Sequence, residues 1–163
     1  MPGGPVRGGF VADGVGKLYA ERGLDISVTV DGELSARVRL KDLEEILGNL
    51  LDNACKWART KVVLAGASDG FGVVLTLDDD GPGLPDSLRG VVLERGVRLD
   101  EAVPGSGLGL SIVRGLTEHY GGSIGLADSR LGGLSVRISL PGGVKRRRWC
   151  PRFEGLAREL PGV

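Results

Sequence analysis

The sequence predicts an α/β protein, a two-layer sandwich with helices on one face of a mixed sheet. Three observations carry that expectation. Between Lys41 and Ala58, residues Leu43, Ile46, Leu47, Leu50, Leu51, Ala54, Cys55 and Ala58 recur at steps of three and four, the period of a helix with one buried face. Thr60 to Gly66 and Phe71 to Leu77 are β-branched runs joined by a Ser-Asp-Gly turn, the pattern of a hairpin. Leu134 to Leu140 alternates Leu134, Val136, Ile138 and Leu140 against Ser135, Arg137 and Ser139, as a strand covered on one side does.

The remaining elements follow in order. Residues 1–12 are rich in Gly and Pro at their start and read as a linker or disordered segment. Asp13 to Arg22 reads as a short helix ending at Gly23, where a left-handed C-cap belongs. Ile26 to Val30 is a strand candidate and Ala36 to Leu40 a second short one. Asp86 to Ser106 loses periodicity and is expected to be a long loop with one helical turn. Leu108 to Tyr120 is a helix with Leu108, Ile112, Val113 and Leu116 on one face, stopped by Gly121-Gly122. Ser123 to Ala127 is the strand before the last. The domain is expected to span 13–143, and 144–163 to form a basic tail that is solvated or poorly ordered.

A chain of 163 residues with 41% apolar content fits one soluble domain. No apolar run is long enough for a bilayer, and the N-terminal stretch has no signal-peptide core. Cys55 and Cys150 form neither a metal spacing nor a disulfide framework, so a cytoplasmic setting without membrane contact is expected. The tail carries six basic against two acidic residues, net +4, which leaves the body at −4. A nucleic-acid binder carries its positive charge on the folded body, so that class is disfavoured. The 29 glycines instead imply turns and loops that something approaches closely.

Three stretches bear chemistry. Off the apolar stripe of the 41–58 helix lie Glu45, Asn49, Asn53 and Lys56, also three or four apart. They are either a solvated polar face or two carboxamides and an ammonium aimed at a ligand. Asp79-Asp80-Gly81-Pro82-Gly83 is either a plain turn or a strand-end carboxylate that accepts from an amino group such as adenine N6, with glycines that let a flat ring approach. Gly105-Ser106-Gly107-Leu108-Gly109-Leu110 precedes a helix, where unpaired N–H groups and the helix dipole favour phosphate. The alternative there is a flexible loop. Its spacing is not a dinucleotide fingerprint, and no Gly-Lys-Ser/Thr follows as a Walker loop demands.

In this order and spacing, the three stretches resemble the N, G1 and G2 boxes of the GHKL superfamily of ATP-binding domains, and within it the catalytic domain of sensor histidine kinases. The likeness covers about residues 13–141, and the wording around 52–56, 95–100 and 131–133 is similar to PhoQ-type sensors. The resemblance implies the Bergerat ATP-binding fold, with Mg²⁺ and ATP as cofactors. Carried onto this sequence, Asn53 would offer an oxygen to Mg²⁺ with Asn49 beside it, Lys56 would reach a phosphate, and Trp57 would pack at the nucleoside. Asp79 would read adenine N6, with Gly81, Gly83 and Leu84 next to it. Residues 84–107 would form the ATP lid, with Arg98 as its phosphate-facing cation, and Gly105, Ser106, Gly107, Leu108, Gly109 and Leu110 would complete the nucleotide site. Asn49, Lys56 and Arg98 would carry the catalytic role. The implied partners are a dimerisation and phosphoacceptor histidine domain and a response regulator.

The chain departs from the family pattern at Leu93, where the F box has an aromatic, and at Val103, where PhoQ-like chains have a second lid Arg. Its single histidine, His119, reads as structural, so the phosphoacceptor is absent. The GHKL ATPases and anti-sigma serine kinases, which are the alternative enzyme classes, carry a Glu general base where this chain has Asn49. An amide takes no proton at neutral pH, which disfavours hydrolysis. A degenerate, non-catalytic interaction module is the remaining alternative, carried by the changes at Leu93 and Val103.

Overall fold

The computed structural model describes residues 23–30, 34–94 and 107–142. Five strands form one sheet: β1 (Asp25–Val30), β2 (Lys61–Ser68), β3 (Gly72–Asp79), β4 (Ser123–Asp128) and β5 (Leu134–Pro141). Their order is β1-β2-β3-β5-β4, with β1 parallel to β2 and every other pair antiparallel. A parallel neighbour needs a crossover. Helix α1 (Leu40–Trp57) supplies it between β1 and β2. The short helix α2 (Asp86–Arg89) and a 3₁₀ turn at Val91–Leu93 follow β3, and α3 (Gly109–His119) precedes β4.

Sheet alternation puts Val62, Leu64, Leu75, Leu77, Val136 and Ile138 in the core, while Lys61, Val63, Thr76, Asp78, Ser135 and Arg137 turn to the other face. On the core side α1 lays down Leu43, Ile46, Leu47, Leu50, Leu51, Ala54 and Cys55, all buried, and packs against α3 and β3. The two-layer sandwich is therefore as expected, and so is the inward stripe of the 41–58 helix. The hairpin turn between β2 and β3 is held by Asp69 Oδ1, which accepts from the N–H groups of Phe71 (2.9 Å) and Gly72 (2.7 Å).

Helices α1 and α3 are clamped at one end by three polar side chains. The Tyr120 hydroxyl donates to Asp42 Oδ2, and Arg39 Nε donates to both Asp42 Oδ2 (3.0 Å) and the Tyr120 oxygen (3.3 Å). The first turn of α1 is thereby joined to the residue that caps α3.

Two expectations need correction. Ala36 to Leu40 is not a strand: its one ladder contact is a bridge from Ala36 to Gly142, and Leu40 already begins α1. Leu34, Ala36 and Val38 do alternate into the core, so the pattern reported burial correctly, but the segment crosses the end of β5 and pairs there only once. In α3 the fully buried residues are Leu110, Val113 and Thr117; Leu108 caps the helix and Ile112 is half-buried. Val113 and Leu116 of the expected face do meet the core, so apolarity alone placed the buried stripe only partly off the one that packs. The helix expected at 13–22 and the tail from 144 lie outside the described residues, although Gly23 does take a left-handed φ of 65°.

Candidate functional site

Strand β3, the end of α1 and the start of α3 converge at one end of the sheet. The convergence is set by glycines. Gly81 lies against the end of α1, where an added Cβ would sit 2.5 Å from the carbonyl oxygen of Trp57. Gly109, the first residue of α3, lies against the middle of α1, where an added Cβ would sit 3.4 Å from Asn49 Oδ1. All three motif stretches thus meet around the polar side of one helix.

On that side, Asn49 Nδ2 donates to the carbonyl of Glu45 (2.8 Å), one turn back. The amide nitrogen is thereby committed, and the oxygen is the atom presented toward Gly109. Asn53 lies one turn further on, half-buried, and its carboxamide makes no hydrogen bond to another described residue. Lys56 Nζ pairs with Asp52 Oδ2 at 2.7 Å, so its ammonium is held on its own helix. Trp57 is half-buried at the helix end, and Glu45 is exposed.

Asp79 closes β3 and is 3% exposed. Its Oδ1 accepts from the N–H of Gly81 (2.8 Å) and of Leu134 (3.2 Å). Burial pushes the carboxyl up from its ordinary value, and the two backbone donors oppose that rise. Because Oδ1 is taken by the main chain, Oδ2 is the oxygen left for a ligand. Asp80, its neighbour in the motif, does something else. It accepts from the backbone N–H groups of Arg59 (2.8 Å), Thr60 (3.0 Å) and Lys61 (3.1 Å) and from the Thr60 hydroxyl (2.5 Å), which holds its carboxyl far below the carboxylate range. It fastens the connection between α1 and β2, whereas the hydrogen bonds that the Asp79 carboxyl makes to described residues use only Oδ1.

Gly133 is a site residue that motif reasoning missed. An added Cβ there would meet Asp79 Oδ1 at 2.1 Å and Gly81 N at 2.5 Å, and its own N–H donates to the Asp79 carbonyl (3.1 Å). The turn between β4 and β5 thus packs directly against the Asp79 carboxyl. The Leu-Gly-Gly run at 131–133 was visible in the sequence, but nothing local says it returns to a residue more than 50 positions earlier. Gly83, with φ 72°, lies 3.4 Å from that turn by the same Cβ measure, and Leu84 is half-buried beside it. At the start of α3, the Leu108 carbonyl accepts from Ile112 N–H (2.9 Å) and from the Ser111 hydroxyl (2.8 Å), so the N–H groups ahead of Ile112 have no intrahelical partner. Gly107 takes φ 71° to enter that turn, and Leu110 anchors it in the core.

Arg98, Gly105 and Ser106, like Val103, lie outside the described residues. Leu93 is half-buried against the core, behind the buried Val92. His119 is exposed, with its ring edge-on to Tyr120 at 5.2 Å, and is the last residue of α3, at the opposite end of that helix from Gly109.

Residues 38–143 match the family described as histidine kinase-, DNA gyrase B- and HSP90-like ATPase. The chain belongs to that family. Its relatives put it among the sensor histidine kinases. It is 56% identical over 101 residues to the sensor protein kinase CarS of Pseudomonas aeruginosa, covering 62% of this chain and 23% of CarS. It is 38% identical over 122 residues to the virulence sensor histidine kinase PhoQ of Salmonella typhimurium, covering 75% of this chain and 25% of PhoQ. Among solved structures, the mycobacterial sensor histidine kinase MprB superposes with a TM-score of 0.69 at 30% identity, over 81% of this chain and 92% of that one. The chain spans about a quarter of the length of the curated relatives it matches. No helix among the described residues is long and apolar enough to cross a membrane.

Proposed function

We propose that this histidine kinase-type ATPase domain binds Mg·ATP between α1, the Asp79 pocket and the start of α3, and presents the γ-phosphate to a histidine on a separate dimerisation domain. The observation that carries the reading is Asn49. Its nitrogen is tied to the Glu45 carbonyl and its oxygen faces the first residue of α3. That position can orient a cation or a phosphate-bound water, and it cannot take a proton.

The donor set fits Mg²⁺. The described residues hold no group of three or more His, Cys, Asp or Glu that would make a protein-only metal cage. Mg²⁺ is commonly held by one or two protein oxygens, with phosphates and waters completing the shell. Asn53 and Asn49 would supply those oxygens. The ion, once bound, would neutralise phosphate charge during transfer.

The chain's own residues then divide the work. Asp79 Oδ2 accepts from the adenine amino group while its Oδ1 stays fixed to the main chain, and Gly81, Gly83 and Leu84 lie beside the base. Trp57 packs at the nucleoside. Lys56 exchanges a partly exposed, and so weak, pair with Asp52 for a phosphate. Gly105 to Leu110 offer backbone N–H groups to the phosphates, and Arg98 is the lid cation. A neutral histidine acceptor is already nucleophilic, so positioned ATP is the main requirement. The acceptor domain and a response regulator are the partners this implies, at the cytoplasmic side of a longer sensor.

The test incubates the chain with γ-labelled ATP, alone and with a dimerisation and phosphoacceptor domain from a CarS-type sensor. Label is expected on the acceptor domain only, and is lost in Asn53→Ala. Label on the chain alone, or steady phosphate release abolished by Asn53→Ala, would refute the reading in favour of a serine kinase or an ATPase.

A further inference from the structure

Arg89 ends the short helix α2, and its guanidinium reaches three acceptors. Nε donates to the carbonyl of Leu84 (3.1 Å), one terminal nitrogen pairs with Asp86, and the other donates to Asp128 Oδ1 (2.6 Å). The Arg89 side chain is 20% exposed, whereas Asp86 and Asp128 are 86% and 85% exposed. Ion pairs to carboxylates so exposed contribute little to stability. Arginine's planar fork does, however, fix the relative position of whatever it bridges.

What it bridges is specific. Leu84 follows Gly83 directly, on the stretch that leaves the Asp79 motif. Asp128 is the last residue of β4 and opens the turn that returns Gly133 onto Asp79 and Leu134 N–H onto Asp79 Oδ1. That turn is closed by Ser129 N–H to the Gly133 carbonyl (2.9 Å). Arg89 therefore joins the two segments that flank the Asp79 carboxyl; it lies in the 84–107 stretch read as the lid, nine positions before Arg98, the cation expected to face phosphate.

We propose that Arg89 is a positioning residue for base selectivity: by holding the Leu84 carbonyl and Asp128 together it sets the width of the pocket in which Asp79 reads a 6-amino purine. This rests on the proposed role of Asp79. Arg89 touches no nucleotide in this scheme and acts through the two walls it links. Loosening those walls weakens discrimination between an amino and an oxo group at that ring position, because only the amino form depends on a donor meeting Oδ2 at hydrogen-bond distance.

The test compares binding of ATP and inosine triphosphate, which has oxygen in place of the amino group, by isothermal titration of the full chain with Mg²⁺. In Arg89→Ala, ATP affinity should fall by about tenfold while inosine triphosphate affinity stays level, so the preference collapses. Asp128→Asn should reproduce the loss and serves if Arg89→Ala does not fold. Arg89→Lys should recover part of the preference, and Asp86→Asn should leave it unchanged, because Asp86 lies on α2 itself and links nothing to β4. An unchanged preference in both Arg89→Ala and Asp128→Asn would overturn the proposal while leaving the Asp79 reading intact. A wild-type chain that binds both nucleotides equally would overturn the two together.

Discussion

One carboxyl of the Asp79-Asp80 pair is raised by burial and the other is lowered by four donors, and the difference divides their roles. Burial raises the Asp79 carboxyl by desolvation, opposed by the Gly81 and Leu134 N–H groups. Asp79→Asn should therefore fold with an undiminished thermal midpoint, because an amide oxygen can still accept from Gly81 and Leu134. It then presents an NH₂ where the carboxylate presented Oδ2. Two donors would face one another, so ATP titration should show binding weakened by at least about tenfold, roughly the cost of one unpaired buried polar group. Thr117 is the opposite case. Its hydroxyl is fully buried with no hydrogen-bond partner among the described residues, so Thr117→Val should raise stability by about 1 kcal/mol in a denaturant melt and leave nucleotide affinity alone. Neither residue's environment was legible in the sequence. A Thr at a core position of an amphipathic helix reads as polar, and although Asp79 was singled out as the strand-end carboxylate, the backbone donors that hold Asp80 and the Leu134 N–H on Asp79 come from residues that the motif does not contain. Asn49 was legible, since its identity settles what it can and cannot do with a proton.

At the scale of elements, α1 is the piece the sequence described best. Its seven buried residues are the apolar ones, three and four apart, and Leu50 at 2% exposure sits mid-stripe. Leu50→Ala should cost about 3 kcal/mol, read as a lowered denaturation midpoint with an unchanged slope. The connection after α1 is held by Asp80, and its pH dependence follows from the sign of the shift. A carboxyl whose folded pKa lies below the unfolded one stabilises the native state above the unfolded value, and that stabilisation drains away as pH falls through the folded value. Asp80→Asn should hence melt earlier than the wild type at pH 7, with the gap narrowing as both are measured near about pH 3. Asp79 shifts the other way and partly offsets the same titration, so the comparison must be made between these two chains. Helix α3 was found and two of its expected inward residues, Val113 and Leu116, do meet the core, but Leu110 and Thr117 were missed because Ile112 outranks Thr117 in apolarity while the packing of α3 buries Leu110, Val113 and Thr117. The Ala36–Leu40 segment failed for a related reason. Alternation records which side chains are buried, and is silent on whether a neighbour lies alongside to pair with.

For the whole molecule, the sandwich was legible because each layer carries its own period, 3.6 in the helices and 2 in the strands. The pocket was only half legible. Motifs that lie on one helix or one strand end announced themselves, whereas Gly133 and Arg89 act across 54 and 39 positions of sequence and carry no local signature. What links the two halves of the pocket is the sheet order, in which β3 pairs on one side with its own hairpin partner β2 and on the other with β5.

That order has a further consequence for how such a domain can change over time. The end of β3 is fixed by its two neighbouring strands, and the start of α3 by α1 and the Arg39–Asp42–Tyr120 clamp at the far end of the same helix. The end of β3 and the start of α3 thus each have anchors outside the 80–108 connection, and Asp80, Gly81, Arg89 and Val92 within it are themselves tied to the rest of the fold. For a loop in general, the entropic cost of closure grows only as the logarithm of its length, about 0.6 kcal/mol for each doubling. Length changes placed between Glu94 and Gly107, which leave those ties in place, are accordingly expected to cost little stability while Asn49 and Asp79 stay where they are.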